Sequence, residues 1–170
     1  MSQVEKYTFK KNGKDFTMRQ VGHDDYNNGH LQLLAQLSPT TDKICQEDYD
    51  DFIDSNNDSN NDSNNDSING MMRYLYIIEE DTTNVIVASG TLLVETKLIH
   101  QVGTVGHIED IVVHQDYRGF GLGKKIVQKL VSKAKLYGCY KAILNCSVNY
   151  KGFYEKCGFR ESGIEMRCDL

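Results

Sequence analysis

The chain has 170 residues, 39% hydrophobic and 25% charged, with a formal net charge of −5; this length and mix fit one soluble domain with a sizeable core and exclude a disordered chain. No run is long and apolar enough to span a bilayer and no apolar segment near Met1 reads as a signal peptide, so the expectation is a cytoplasmic protein with no membrane partner. Asp54, Asp58, Asp62 and Asp66 share one low-complexity stretch, and without them the chain is nearly neutral, which leaves no electrostatic case for nucleic acid and points to a small-molecule partner. Five cysteines (Cys45, Cys139, Cys146, Cys157, Cys168) are odd in number and lack C-x-x-C spacing. That argues against a disulfide framework and against a zinc site; no metal is expected.

In chain order, residues 1–14 are polar and read as a frayed end. Asp15 to Val21 alternates as a first strand, and His23-Asp24-Asp25 offers the N-cap of a helix with the stripe Leu31, Leu34, Leu37, ending before Pro39. Thr41 or Asp42 can cap a second helix carrying Cys45, Tyr49, Phe52 and Ile53. Ser55-Asn56-Asn57-Asp58 then repeats as 59–62 and 63–66 with nothing apolar to bury, which predicts a disordered insert at about 54–69 within a single domain spanning 1–170. Arg73 to Glu80 and Val85 to Glu95 read as a hairpin, and Thr96 to Val105 as an ordered loop carrying Lys97 and His100. Gly106 to Val113 is the central strand. Lys125 to Tyr137 is an amphipathic helix stopped by Gly138, Lys141 to Cys146 a short buried strand, Asn149 to Cys157 a short helix, and 159–168 a final strand. The class is α/β, or α+β in stricter naming: a mixed, mostly antiparallel sheet flanked by helices.

Between the central strand and its helix lies Arg118-Gly119-Phe120-Gly121-Leu122-Gly123-Lys124. A glycine-rich turn that opens a helix presents unpaired N–H groups and a positive dipole end to a phosphate. The spacing is not that of a P-loop, because Gly119 and Gly123 are separated by three residues and Lys125 takes the Ser/Thr position. The dinucleotide fingerprint fails too, meeting Lys124 or Ile126 where its third glycine belongs. What fits is Arg-x-x-Gly-x-Gly, as Arg118, Gly121 and Gly123, which resembles the acetyl-coenzyme A pyrophosphate loop of the GNAT acetyltransferases. An exposed turn with a good helix after it is the plainer alternative.

Four further blocks narrow the resemblance: Gly106-His107-Ile108-Glu109-Asp110-Ile111-Val112-Val113, Lys97-Leu98-Ile99-His100, Gly138-Cys139-Tyr140-Lys141, and Asn149 to Phe159. Together they resemble the glucosamine-6-phosphate N-acetyltransferase family within the GNAT superfamily. The resemblance implies acetyl transfer from acetyl-CoA to the 2-amino group of glucosamine 6-phosphate, on the way to UDP-N-acetylglucosamine. It also implies direct transfer in a ternary complex, and a homodimer.

The resemblance places the cofactor on Ile111, Val112, Val113, Arg118, Gly119, Phe120, Gly121, Leu122, Gly123, Lys124, Tyr154, Glu155 and Lys156. It places the sugar on Ser38, Lys97, Leu98, Ile99, His100, Glu109, Asp110, Ile111, Tyr140, Lys141, Asn145 and Arg167. A bulge near Ile111–Val113 would free an amide to polarise the thioester carbonyl. Tyr154 is the expected acid for the departing thiolate, or else a core aromatic beside Phe153. Glu109 and Asp110, on opposite faces of a strand, suit substrate hydroxyl and ammonium binding and catalysis, one as a possible base; a strand-end salt bridge is their bland reading. Lys97 and His100 would be mere surface without the resemblance. Asn145 stands where the family usually has an acid, and Arg167 is the only arginine of a C-terminus that also holds Asp169; the phosphate clamp is expected to be weaker, or rebuilt around Arg167 and Lys97. The competing functions are acetylation of another small amine or a peptide N-terminus, and, outside catalysis, an acyl-CoA-binding module.

Overall fold

A computed structural model describes residues 6–38, 43–57 and 71–169 of the protein. Its six strands lie side by side in chain order: β1 (Tyr7–Lys11), β2 (Lys14–Gln20), β3 (Met71–Glu80), β4 (Val85–Thr96), β5 (Thr104–Val113) and β6 (Lys141–Ile143). Every pairing is antiparallel except β5–β6, where the chain crosses over through α4 (Leu122–Leu136).

Strand alternation decides which element covers which face. Phe16, Tyr74, Tyr76, Leu92 and Ile108 bury against Leu122, Ile126, Leu130 and Ala134 of α4. Each Phe, Leu or Ile among them contributes roughly 1.5–3 kcal/mol when fully buried. On the opposite face Ile77, Ile86 and Val112 pack on Leu33 of α1 (His30–Leu34), and Leu31 packs on Tyr49 and Ile53 of α2 (Gln46–Asn57). A bidentate pair anchors the same side: Arg19 reaches the two oxygens of Asp25 at 2.7 and 2.8 Å and Glu79 at 2.6 Å, and Asp25 also accepts from the Gly22 amide at 2.8 Å.

The structure corrects several expectations. The supposed frayed end contains β1, joined to β2 by Asn12 and Gly13 at φ 49° and 78°; an Asn-Gly pair with both residues left-handed is the turn that suits a tight hairpin. The first helix is split into a 3-10 turn (His23–Tyr26) and the short α1, with Leu33 buried in place of Leu37, which is half exposed. Helix α2 runs through Asn57, so residues 54–57 of the expected insert are helical; the rest of it, with Pro39, Thr41 and Asp42, lies outside the described residues. Helix α4 starts at Leu122 rather than Lys125, because Leu122 is a core residue and Gly121 turns the chain ahead of it. β6 covers only Lys141–Ile143 and is not fully buried, and residues 160–169 form no strand: the tail is exposed and pairs with neither edge strand of the sheet, β1 or β6. The last helix is a 3-10 turn (Val148–Tyr150) followed by α5 (Lys151–Glu155).

Candidate active site

The ladder between β4 and β5 slips once. Ser89 pairs with Val112 and Thr91 with Glu109, so Gly90 faces the two residues Asp110 and Ile111. Asp110 takes φ 52°, the left-handed conformation that Asp tolerates better than bulkier residues. This is the bulge expected near Ile111–Val113. It interrupts the hydrogen-bond ladder at the strand end that feeds the glycine loop. Gly90 makes room for it: a β-carbon there would lie 2.5 Å from Ile111 Cδ1.

The loop itself runs from a 3-10 turn (Gln115–Tyr117) into α4. Gly119 and Gly121 have φ 84° and 77°, and nothing lies within 4 Å of where their β-carbons would be. The turn therefore needs glycine for conformation and leaves an open cradle above it. The Phe120 amide bonds back to the Tyr117 carbonyl at 3.3 Å and the Lys125 amide to the Gly121 carbonyl at 3.2 Å; between them the amides of Leu122, Gly123 and Lys124 form the donor end of a fifteen-residue helix. Arg118 Nε donates to the Val113 carbonyl at 3.4 Å, tying loop to strand. Gly123 does a different job, since a β-carbon would press at 3.3 Å on both Phe153 and Val113. Leu122 and Val112 have core side chains, so of the expected cofactor contacts these two offer only backbone.

Phe153 thus locks α5 against the loop, and Tyr154 beside it is half-buried, 4.9 Å from Phe153 and 6.1 Å from Phe159 between ring centres. Burial pushes the Tyr154 phenol up to about 12, with smaller contributions from Cys146, Cys157 and the charge of Glu109. It is a protonated phenol at neutral pH. Glu109 is also pushed above the ordinary carboxylate range, first by burial, then by Asp110 and Glu165, while His107 opposes. Tyr154, Glu109 and Asp110 therefore form one electrostatic neighbourhood drawn from β5 and α5. Cys146, Cys157 and Glu165 belong to it and were not expected. No spacing in the sequence pointed to them.

The sugar-side residues are gathered less completely. In α3 (Ile99–Val102), His100 and Gln101 have φ 55° and 59°, and Val102 60°. His100 packs on Tyr140 at 4.4 Å, and Lys141 Nζ lies 5.5 Å from the same ring. Leu98 is 91% exposed. Lys97 is held at 2.7 Å by Glu95, whose same oxygen meets His107 at 3.0 Å. Arg167 pairs with Asp169 at 2.6 Å and is 78% exposed, so it is not packed on the bulge. Asn145 and Ser38 are exposed, and Glu155 and Lys156 are at the surface of the α5 end. Among the described residues, no three His, Cys, Asp or Glu side chains gather to hold a metal ion, and no helix is long and apolar enough to cross a membrane.

A mixed sheet whose bulged strand empties into a glycine cradle, with a neutral phenol alongside, defines an acetyl-CoA-dependent acetyltransferase. The model of the Acetyltransferase (GNAT) family matches residues 41–159, and the chain belongs to that family. The glucosamine 6-phosphate N-acetyltransferase of Arabidopsis thaliana is 37% identical over 151 residues, covering 89% of this chain and 94% of the relative. The protein of that name in Candida albicans is 40% identical over 153 residues, covering 90% and 95%. The crystal structure of the Arabidopsis enzyme superposes with a TM-score of 0.81 at 36% identity, over 91% of this chain and 98% of that one.

Proposed function

We infer that this chain transfers acetyl from acetyl-CoA to the 2-amino group of glucosamine 6-phosphate, directly and within a ternary complex. The observation that carries the chemistry is the slip opposite Gly90, which breaks the ladder beside Glu109, with Tyr154 on the helix that Phe153 packs against the glycine loop. The two relatives named above, matched over nine-tenths of the chain, support the choice of sugar.

Each residue has a defined task. The amides of Leu122, Gly123 and Lys124 and the open turns at Gly119 and Gly121 hold a pyrophosphate. Backbone amides at Ile111–Val113 polarise the thioester carbonyl. Glu109, favouring its protonated form more than an ordinary carboxylate, takes the proton from the sugar ammonium. The freed amine nitrogen bonds to the carbonyl carbon, the carbon–sulfur bond breaks, Tyr154 gives its proton to the thiolate, and the second proton that the nitrogen sheds on becoming an amide restores the phenol. Asp110 and the Lys97–His100 loop bind the sugar, with Lys97 toward its phosphate and Tyr140, Lys141, Asn145 and Ser38 in supporting contacts.

The partner is a second copy of the chain. Ile164 and Met166 of the unpaired tail are 89% and 88% exposed, and Ile143 and Tyr140 flank the short β6 edge; a homodimer would cover them. Sedimentation showing a monomer at micromolar concentration would remove that part. The compartment expected is the cytoplasm.

The test is release of coenzyme A thiol by purified protein with acetyl-CoA and a panel of amines. Turnover with glucosamine 6-phosphate is expected. Turnover only with another amine or a peptide N-terminus would overturn the substrate, and cofactor binding without thiol release on any amine would leave a binding module.

A further inference from the structure

On the sheet face opposite α4, directly behind the bulge, His30 is 1% exposed and uses both ring nitrogens. Nε2 lies 2.9 Å from Ser89 Oγ, and Nδ1 2.9 Å from the Tyr49 hydroxyl. His30 opens α1 and Tyr49 belongs to α2, so one imidazole joins two helices to β4. Ser89 is 2% exposed and pairs with Val112, the last pair of that ladder in register before the slip at Gly90. From the other face Gly90 is covered by Ile111, Ile126 and Leu130. The bulge is seated between apolar contacts on one side and this polar contact on the other.

Burial brings the His30 pKa down to about 4, so near neutral pH one ring nitrogen donates and the other accepts. Both hydroxyls and the ring are out of water, and a lost contact leaves a buried polar group unsatisfied. That makes the Ser89 side chain, and the backbone it belongs to, hard to shift. Nothing in acetyl transfer uses the ring directly.

We propose that His30 is a positioning residue for acetyl transfer: its hydrogen bond to Ser89 fixes the stretch of β4 on which the Asp110–Ile111 bulge sits, and so fixes the amides offered to the thioester carbonyl. This rests on the reading of Ile111–Val113 as the carbonyl site. Tyr49 holds the far end of the ring and contributes stability.

The test compares Ser89→Ala, His30→Asn, His30→Gln and Tyr49→Phe by steady-state kinetics and thermal unfolding. A glutamine amide reaches the place of Nε2, and an asparagine amide the place of Nδ1. S89A and H30N should lose kcat about tenfold or more, with both KM values within about twofold, because misplaced donors cost rate rather than binding. H30Q and Y49F should keep most of kcat despite a comparable fall in Tm. The kcat–pH profile of S89A should keep its shape; a displaced profile would make the chain a proton path and overturn positioning. Wild-type kcat in S89A, or kcat falling in step with Tm across all four variants, would also overturn it. If S89A does not fold, the H30N and H30Q pair carries the same comparison. Gly90→Ala separates the two readings: a folded G90A with full kcat overturns the carbonyl site itself, whereas loss in G90A with retention in S89A overturns only the role of His30.

Discussion

Gly90 lies so close beneath Ile111 that a β-carbon at position 90 would come within 2.5 Å of Ile111 Cδ1, and equally close to Ile126 Cγ2. The glycine is there for space, since its backbone is not left-handed. Gly90→Ala must lift Ile111 or push α4 outward, and overpacking of this kind costs about 1–3 kcal/mol. A lower Tm is expected, together with a fall in kcat measured well below that Tm. An alanine variant with unchanged Tm would mean that the bulge accommodates a methyl group and is not tightly seated.

Tyr154 is held protonated by burial, with its pKa near 12. Tyr154→Phe keeps the ring contacts with Phe153 and Phe159 and removes the proton donor. Loss of a general acid predicts a kcat lower by about 10²–10⁴ with little change in the KM for acetyl-CoA. Between pH 7 and 10 the wild-type rate should show no loss from ionisation of this phenol. A rate that rises as a tyrosine ionises in that window would refute its role as an acid.

Glu109 titrates above the ordinary 4.5 because of burial, Asp110 and Glu165, with His107 pulling the other way. As a base it works only when ionised, so kcat/KM should fall on acidification at a higher pH than an unperturbed glutamate would give. Removing a neighbouring negative charge should move that limb down in pH. Glu165→Gln does so without touching the bulge and is the cleaner variant; Asp110→Asn should act in the same sense. Glu109→Gln should abolish the limb along with most of the activity. An acid limb that E165Q shifts upward, or one that E109Q leaves in place, would assign the base elsewhere.

Part of this was legible in the residues themselves. The periodicity of Ile126, Val127, Leu130 and Ala134 marked α4, because burial of one helix face imposes that spacing, and the continuous apolar run Tyr74–Ile78 marked β3, a strand buried on both faces. The Asn12-Gly13 pair and the lone Gly90 inside a strand are signals of a hairpin and a bulge, masked by surroundings that have the composition of a polar end and an ordinary strand. The tail at 159–168 has strand composition, but a strand exists only where a second edge supplies its bonds, and no sequence states that edge. His30 had no signal at all. A histidine in an apolar stretch does not announce that two hydroxyls from distant elements will meet it.

Lys97 is presented by an ion pair with Glu95 that also engages His107, both partners being about one-third exposed. A solvent-accessible pair of this kind adds little stability, so Lys97→Ala should leave Tm nearly unchanged. A charge-assisted contact to the sugar phosphate contributes roughly 1.5–3 kcal/mol, so the KM for the sugar phosphate should rise by about 10- to 100-fold with kcat largely kept. Arg167→Ala should have a smaller effect, because Asp169 already occupies the guanidinium. Unchanged KM in both variants would show that the clamp lies elsewhere.

His30 has an unfolded pKa of 6.5 and a folded pKa of about 4, lowered by burial, with Asp25 and Arg19 acting in opposite senses. The folded state therefore binds the His30 proton more weakly than the unfolded state. Its stabilising contribution is fully present above pH 6.5 and is lost as the pH falls through that value toward 4. The gap amounts to about 3 kcal/mol at most. His30→Gln cannot titrate, so its unfolding free energy should decline less steeply than that of the wild type over this window, even though it is lower at neutral pH. Denaturant unfolding at closely spaced pH values measures both slopes. Parallel curves between pH 6.5 and 4 would mean that the imidazole does not stay neutral in the folded protein.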